Sequence, residues 1–540
     1  MKDTFIEETH KMTETNPEYH QHEEFQLRSQ KLNDLRNLGI EPYPHKFTPT
    51  HTAKGLHDNF DSAQIGHSDD AGAGTTPRVT VAGRLVLFRS MGKNAFGHIQ
   101  DETGRIQMMF NKETTKVAGY EAPQGADQEA LTPMKLIEKK IDLGDIIGID
   151  GHLFHTNKGE LTIFVHTLTI LTKTLLPLAD KHAGLADKEL RYRKRWLDLI
   201  TNMDVAQTFR TRSKILELLR DYFKEHDFIE VETPVLQSIY GGAEARPFIT
   251  KLNALEQEMF LRISLEIPLK KLIVGGMGRV FEIGRVFRNE GIDRNHNPEF
   301  TLMEAYAAYW DYNDMMRFVE NLFEKLALAL HGTTKLQIGN PEDGQTIELD
   351  LKAPWKRMTM KESIKVYGNI DVDTLSDEEI RSMLKESGHV ELKKLNSLTR
   401  GLLIAALFEV YAEPHLVQPH HIIDHPIETT PLCKPHRNAT EKNEGLVERF
   451  ESFVLCQEIC NAYTELNDPE IQRNLLVGQA KRRDAGDEEA SPLDEEFIEA
   501  ICQGMPPTGG VGIGIDRMVM ILTNSHSIRD VLYFPWMKQQ

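Results

Sequence analysis

Hydrophobic and polar positions change their period twice along the chain. Residues 1–77 are mostly polar; a helical pattern lies near 24–32, and the run 68–77, rich in Gly, Asp and Thr, is typical of a linker. From Val79 to about residue 175, short β-branched and aromatic runs alternate with turns, and a helical stretch precedes the last two runs. About five short strands in this order predict a small β-barrel of the OB type.

From residue 176 onwards, the pattern predicts a domain that mixes helices and strands. Apolar residues recur on one face of a helix over 209–223. The β-branched run 229–236 that follows predicts a strand, with Pro234 at an edge or a bulge. Further strands come next, whereas residues 330–400 are polar and predict a mixed, mostly helical segment.

Composition and charge exclude several classes of protein. Lys and Arg number 63 against 82 Asp and Glu, a net charge of −19, so any contact with nucleic acid needs a local, shaped site. Four cysteines do not make a disulfide framework and favour a reducing cytoplasm. The longest apolar stretch, 401–408, is far shorter than the roughly 20 residues of a membrane span. We therefore expect a soluble, cytoplasmic protein with no membrane contact.

A glycine-rich segment near the C-terminus is the first candidate for chemistry. Gly510, Gly512 and Gly514 alternate, as residues on one face of a strand do, and bare backbone lets a flat ligand approach closely. Arg517 follows in the first turn of an apolar helix, where its guanidinium can reach a phosphate. Glycine-rich strands are common, so this segment alone does not define a site.

A second segment combines charged and aromatic residues. Arg288 and Glu290 alternate, which places them on one face of a predicted strand; Arg can grip a carboxylate or phosphate, and Glu can accept from an amino group. The loop 291–295 is a predicted hairpin tip that returns His296 and Phe300 to the same site. The alternative is a cross-strand salt bridge beside a core Phe.

Glutamates recur every seven residues at Glu451, Glu458 and Glu465. This spacing fits two turns of a helix and also two strands joined by a turn. Apolar neighbours draw some of these acids towards the core, and buried acids without an adjacent Lys or Arg suggest Mg²⁺ or an amine as ligand. A solvated helix face is the alternative interpretation.

Together, these ordered segments resemble the three motifs of the class II aminoacyl-tRNA synthetases, and most closely those of the lysine-specific members. The resemblance extends from Val79 to the C-terminus. Its most specific stretches are 241–248, 261–270, 287–300, 461–468 and 510–517. It implies a homodimer with an antiparallel catalytic sheet of six or seven strands, flanked by helices. It also implies three parts: a polar extension over 1–77, an anticodon-binding OB barrel over 78–175, and a catalytic domain over 176–540 with an insertion near 330–400.

The reaction implied by this resemblance has two steps. L-lysine reacts with ATP to give lysyl-adenylate and pyrophosphate, and the lysyl group then passes to the 3′ end of tRNA(Lys), which releases AMP. The implied catalytic residues are Arg288 and Arg517. The implied ATP-binding residues are Arg288, Glu290, His296, Asn297, Phe300, Glu451 and Arg517.

The resemblance also implies the remaining site residues. The lysine-binding residues would be Gly242, Glu266, Arg288, Glu304, Tyr306, Asn461, Tyr463, Glu465 and Gly514. Glu451 and Glu458 would hold Mg²⁺, up to three ions per subunit. Anticodon bases would contact Phe96, Gln107 and Glu160, although Phe96 could also be a plain core residue.

Three other functions remain as alternatives. An aspartyl- or asparaginyl-tRNA synthetase would need a basic amino-acid pocket, which the acidic Glu266 and Glu465 oppose. A lysine ligase that modifies a translation factor would lack the barrel. A catalytically inactive tRNA-binding or signalling protein would not need Arg288, Glu451, Glu458 and Arg517 together.

Overall fold

A computed structural model describes residues 17–60, 66–122, 131–178, 187–339, 344–390, 395–438 and 445–538. The chain divides into two compact units, Met1–Ala186 and Asp187–Gln540. The division falls after residue 186, whereas the sequence predicted a boundary after residue 175. Part of the predicted extension, residues 1–16 and 61–65, lies outside the described residues.

The first unit is built on a closed barrel. Its strands are β1 (Arg78–Met91), β2 (Asn94–Gln100), β3 (Arg105–Asn111), β4 (Lys116–Val117), β5 (Ile146–His155) and β6 (Leu161–Thr172). The order β3-β2-β1-β5-β6 closes through parallel pairing of β3 with β6, and β4 adds to β6. Alternate residues of these strands point inwards and fill the core. The predicted OB-type barrel is confirmed.

Four α-helices accompany this barrel among the described residues: α1 (Glu23–Asn37), α2 (Ala53–Asn59), α3 (Ser68–Gly72) and α4 (Pro133–Lys140). The predicted helix near 24–32 is confirmed and extends to Asn37. The prediction of a linker over 68–77 is wrong, because α3 lies there and its Ala71 is buried in the barrel core. The Asp70 carboxylate accepts the backbone N–H of His67 at 2.9 Å, which caps this short helix.

The second unit contains thirteen of the described strands. They are β7 (Ile229–Glu230), β8 (Leu236–Gln237), β9 (Ile249–Leu252), β10 (Gln257–Leu261), β11 (Arg279–Phe287), β12 (Glu299–Ala308), β13 (Lys335–Gly339), β14 (Thr346–Asp350), β15 (Lys356–Thr359), β16 (His420–Pro426), β17 (Leu446–Val454), β18 (Gln457–Thr464) and β19 (Thr508–Gly514). Eight form the main sheet in the order β15-β16-β17-β18-β19-β12-β11-β7. Its six central strands are antiparallel, and the edge strands β15 and β7 pair in parallel. The predicted antiparallel sheet is confirmed, with eight strands in place of six or seven.

The helices described in this unit, several of which pack on the sheet, are α5 (Lys188–Arg193), α6 (Arg195–Thr201), α7 (Met203–Glu225), α8 (Glu266–Val274), α9 (Tyr312–His331), α10 (Met360–Gly368), α11 (Asp377–Ser387), α12 (Arg400–Tyr411), α13 (Pro469–Asp484), α14 (Glu495–Cys502), α15 (Ile515–Leu522) and α16 (Ile528–Val531). The apolar faces of α7 and α9 pack with Val511 and Ile513 of β19 in the largest core. Gly510, Gly512 and Gly514 therefore face the opposite side of the sheet, where α8 packs against Tyr306.

One prediction about this unit needs correction. The run 229–236 is not one strand: β7 and the first residue of β8 flank an irregular segment, in which the N–H and hydroxyl of Thr233 donate to the Glu282 carboxylate at 3.0 and 2.7 Å. The segment 330–400 is mixed, as predicted: β13 and β14 form a hairpin, β15 is an edge strand, and α10 and α11 follow. Among the helices that the structure describes, none combines the length and apolarity needed to cross a membrane.

Candidate active site

One face of the main sheet carries two adjacent rows that combine polar or charged residues with glycines. In the first row, the backbone register aligns Glu304 with Gly512, Gly512 with Asn461, and Asn461 with Glu451. Strands β12, β19, β18 and β17 each supply one member. Because the strands pair in register, these side chains project from one line across the sheet.

The second row lies two residues away from the first on each strand. It aligns Tyr306 with Gly510, Gly510 with Tyr463, and Tyr463 with Arg449. Both rows line a cavity of about 450 Å³. Every residue that the sequence predicted for ATP, lysine or metal lines this cavity, so the structure brings all of them together.

The two rows form the floor of the cavity, and the glycines of β19 place no side chains in the middle of it. A Cβ atom at Gly510 would collide with the Glu465 carboxylate and the Tyr306 ring, so no side chain fits there. At Gly512 and Gly514 the nearest atoms would be 3.6 and 3.9 Å away, which leaves room above the strand for a flat ligand. The predicted close approach to bare backbone is therefore possible at this point of β19.

Three buried glutamates crowd one end of the cavity. Glu266 begins α8, Glu304 lies on β12, and Glu465 follows β18; each is at most 5% exposed. Glu304 accepts the N–H of Leu265 and the hydroxyl of Tyr306, both at 2.9 Å. Burial and the charge of Glu266 raise the pKa of Glu304 to about 7. Such a cluster of buried carboxylates favours a cationic ligand.

Gly242, on the loop before β9, stands at the same end of the cavity. Its φ of +84° is left-handed backbone, and a Cβ atom there would collide with the hydroxyl of Ser264. Only glycine suits this position. Asn461 and Tyr463 of β18 also line the cavity, and the Asn461 amide donates to the Tyr463 hydroxyl at 3.1 Å.

The other end of the cavity combines two arginines with two glutamates. The Arg517 guanidinium donates to the Glu458 carbonyl, and its second Nη lies 3.4 Å from Nε2 of His296. The Arg288 guanidinium lies over the Phe300 ring, 5.2 Å from its centroid. Burial and then the neighbouring Glu451 charge raise the pKa of Glu458.

Two sequence predictions at this end were wrong. Strand β11 ends at Phe287, so Arg288 and Glu290 lie in the following loop rather than on one strand face. Glu451 does have a basic neighbour, because alternation on β17 brings Arg449 onto its face, where the two side chains form an ion pair. The seven-residue spacing corresponds to strands: β17 and β18 meet at a turn in which Leu455 and Cys456 have positive φ.

The structure also locates Asn297 and Glu290, the remaining residues predicted to bind ATP. Asn297 is buried; its amide donates to the Glu299 carbonyl at 2.6 Å, and its oxygen accepts the N–H of Trp536 at 3.3 Å. Glu290 is exposed on the cavity rim.

A different surface, on the barrel, carries the residues predicted to contact anticodon bases. Gln107 of β3 donates to the Thr162 hydroxyl at 2.8 Å, and Glu160 lies 3.4 Å from Nε2 of His98. His98 pairs with Gln107 in register, which brings Gln107 and Glu160 into one cluster. Phe96 lies two residues before His98 on β2 and is half-buried against the barrel core.

Comparison with known proteins supplies the family. The model described as tRNA synthetases class II (D, K and N) matches residues 187–538, and the OB-fold nucleic acid binding domain matches 79–171. The chain is 57% identical over 525 residues to "Lysine--tRNA ligase" of Chlamydia felis, covering 97% of this chain and 98% of that protein. The chain belongs to the lysine–tRNA ligase family. It is also 44% identical to the Bacillus subtilis member, over 97% and 99% of the two chains, and 45% identical to that of Nostoc punctiforme, over 95% and 87%.

Membership of the lysine–tRNA ligase family confirms the resemblance drawn from the sequence, and class II synthetases generally use Mg²⁺. Sequence reasoning missed three charged or polar residues around the sites: Arg449, His98 and Lys270. The first two follow from strand alternation beside Glu451 and Phe96. Lys270 lies one helical turn after Glu266, and its ammonium forms ion pairs with both Glu266 and Glu465.

Proposed function

We propose that this chain is an ATP-dependent, AMP-forming ligase that activates L-lysine as lysyl-adenylate and transfers the lysyl group to tRNA(Lys). The observation that carries this proposal is the set of buried carboxylates at the end of the cavity. A lysine ammonium needs such a counter-charge when it leaves water.

In this proposal, the two amines of lysine occupy the acidic end. The Glu465 carboxylate and the Tyr306 hydroxyl receive the side-chain ammonium, and Glu266 with Glu304 receives the α-amino group. The alkyl stem packs beside Tyr463, with Gly242, Asn461 and Gly514 closing the pocket. The lysine carboxylate then points towards Arg288.

Adenylate formation needs no general base, because the lysine carboxylate is already ionised at neutral pH. It needs charge neutralisation and in-line positioning. Arg288 would hold the α-phosphate and the lysine carboxylate, and Arg517 with His296 would grip the γ-phosphate. The adenine would lie between Phe300 and Arg517 and meet Glu290 and Asn297.

Glu451 and Glu458 would hold Mg²⁺, up to three ions per subunit. Mg²⁺ is usually bound through one or two carboxylates plus substrate phosphates, so two glutamates beside the phosphate end fit this ion. Within the described ranges, no group of three or more His, Cys, Asp or Glu side chains is arranged to hold a metal without substrate. Bound Mg²⁺ would neutralise phosphate charge; the residues of the chain fix where the triphosphate bends.

The barrel, 78–175, would bind the anticodon of the tRNA through Phe96, Gln107 and Glu160. The catalytic domain, 176–540, would carry out the reaction in the cytoplasm.

The protein would act as a homodimer. The apolar face of α7 is not available to a dimer interface, because Phe209, Ile215, Leu219 and Phe223 are buried in their own unit. Exposed apolar residues between 229 and 255 support the dimer instead, including Ile229, Ile249 and Leu255, all more than half exposed. Sedimentation should give a dimer; a fully active monomer at micromolar concentration would contradict it.

The full reaction tests the proposal. Purified protein, ATP, Mg²⁺ and a tRNA(Lys) transcript should convert labelled lysine into acid-precipitable lysyl-tRNA, with AMP as coproduct. A tRNA with a different anticodon is the control and should be charged poorly. A protein that binds the tRNA without charging it would be a tRNA-binding or signalling protein, and the proposal would fail.

A further inference from the structure

Lys270 is a buried cation that the proposed reaction does not use. It lies in the middle of α8, and its side chain is fully buried. Its ammonium contacts Oε1 of Glu266 and Oε2 of Glu465. It therefore joins a helix to the end of β18 through two glutamates that line the cavity, while Lys270 itself does not line it.

The charges around Lys270 explain why a cation is needed at this position. Two carboxylates that share a dry site cannot both stay ionised without a cation between them, because like charges disfavour each other there. Lys270 supplies that cation from within the chain. Its removal would leave Glu266 and Glu465 facing each other without compensation.

The second oxygen of Glu465 has a different environment. Both carboxylate oxygens of Glu465 are buried without a hydrogen-bond partner in the part of the chain that the structure describes; the ion pair with Lys270 compensates Oε2, and Oε1 is the oxygen left over. It faces the bare backbone of Gly510 and the ring of Tyr306. A buried carboxylate oxygen without a donor is costly, so this atom points to a cationic ligand in the cavity.

We infer that Lys270 is a positioning residue for amino-acid selection: its ammonium holds Oε2 of Glu465 and one oxygen of Glu266, so that Oε1 of Glu465 faces the cavity for the side-chain ammonium of the substrate. The inference rests on the proposed function, because it assigns the substrate as a diamino acid. Lys270 itself does not touch the reacting atoms.

The titration of Glu465 gives this role a specific readout. The charged and titratable groups that face it are Lys270, Glu266, Glu304, Tyr306 and Cys433. Burial raises the pKa of Glu465, and the Lys270 ammonium opposes that rise. Loss of Lys270 should therefore raise this pKa further. Since lysine binding needs the carboxylate, the acidic limb of kcat/KM for lysine should move to higher pH.

The experiment compares Lys270→Met with Lys271→Met in lysine-dependent ATP–pyrophosphate exchange. Lys271 is the matched control, because its ammonium pairs with the exposed Glu496 at 2.9 Å, outside the pocket. Lys270→Met should raise KM for lysine by about tenfold or more, change KM for ATP by less than about twofold, and shift the acidic limb upwards. Lys271→Met should match the wild type in both KM values and in the pH profile. Lys270→Arg, which keeps the positive charge, should restore the acidic limb of the profile to its wild-type position.

Several outcomes would overturn the inference. Unchanged lysine KM and pH profile in Lys270→Met would do so, as would parallel losses for lysine and ATP, which indicate a structural role alone. If the Met variant does not fold, Lys270→Gln keeps a donor without the charge and must give the same shifts. A wild type without lysine-dependent exchange would instead refute the proposed function.

Discussion

The acidic end of the cavity, which we propose as the amino-acid pocket, and the barrel face place similar side chains in opposite settings. Glu465 in the pocket is 1% exposed, whereas the Glu160 side chain on the barrel is 51% exposed. Both lie near a basic partner, Lys270 in one case and His98 in the other. The buried carboxylate says more about a ligand than the exposed one. A buried carboxylate must be compensated by a positive charge or a hydrogen-bond donor, whereas an exposed one is solvated by water.

This difference ranks the expected effects of substitution. Changes in the pocket should act on lysine activation and cost several kcal/mol, whereas changes on the barrel should act on tRNA alone and cost less. ATP–pyrophosphate exchange reports on the pocket alone, whereas aminoacylation also reports on the barrel, so the two assays separate the two regions.

Glu465→Gln should have the largest effect. The substitution keeps the shape but removes a buried counter-charge, which costs on the order of 3–5 kcal/mol when one partner of a buried pair is lost. The kcat/KM for lysine should fall by roughly 10²–10³-fold or more, and ATP binding should barely change. Glu496→Gln, which removes an exposed carboxylate of α14, is the control. Normal lysine activation by Glu465→Gln would mean that the pocket is misassigned.

Arg288→Ala and Arg517→Ala should each nearly abolish adenylate formation. Both remove positive charge from a transition state that is stabilised mainly by electrostatics, for which one group is worth about 10²–10³ in rate. Single-turnover formation of lysyl-adenylate measures the step directly. Arg285→Ala is a suitable control, because Arg285 lies on β11 and forms a long 3.7 Å ion pair with Glu299. Exchange close to wild type in either variant would remove these arginines from the site.

Phe96→Ala should have the smallest effect and the most selective one. Stacking on one anticodon base is worth ~1–3 kcal/mol, so tRNA charging should weaken while lysine activation stays intact. Met91→Ala, which removes an exposed side chain of β1, controls for general damage to the barrel. A loss of exchange activity together with charging would assign Phe96 to the barrel core alone.

Local patterns were enough to predict the barrel and the cavity floor, whereas the antiparallel sheet was predicted from the resemblance to the synthetases. Strand alternation placed Gly510, Gly512 and Gly514 on one face, and the structure has them there. The end of β11 at Phe287 was not visible in the sequence, because residues on both sides of it are compatible with a strand. The ion pair between Lys270 and Glu465 could not be predicted, because it joins residues nearly two hundred positions apart and depends on how α8 packs against the sheet.

ATP–pyrophosphate exchange without tRNA, measured in parallel with lysine, aspartate and asparagine, tests the central claim most directly. The pocket contains Glu266, Glu304 and Glu465, so a second ammonium is favoured and a second carboxylate is repelled. Lysine should support exchange, and aspartate and asparagine should give only the background rate. Exchange with aspartate or asparagine at a rate equal to or above that with lysine would contradict the claim that buried carboxylates select the substrate.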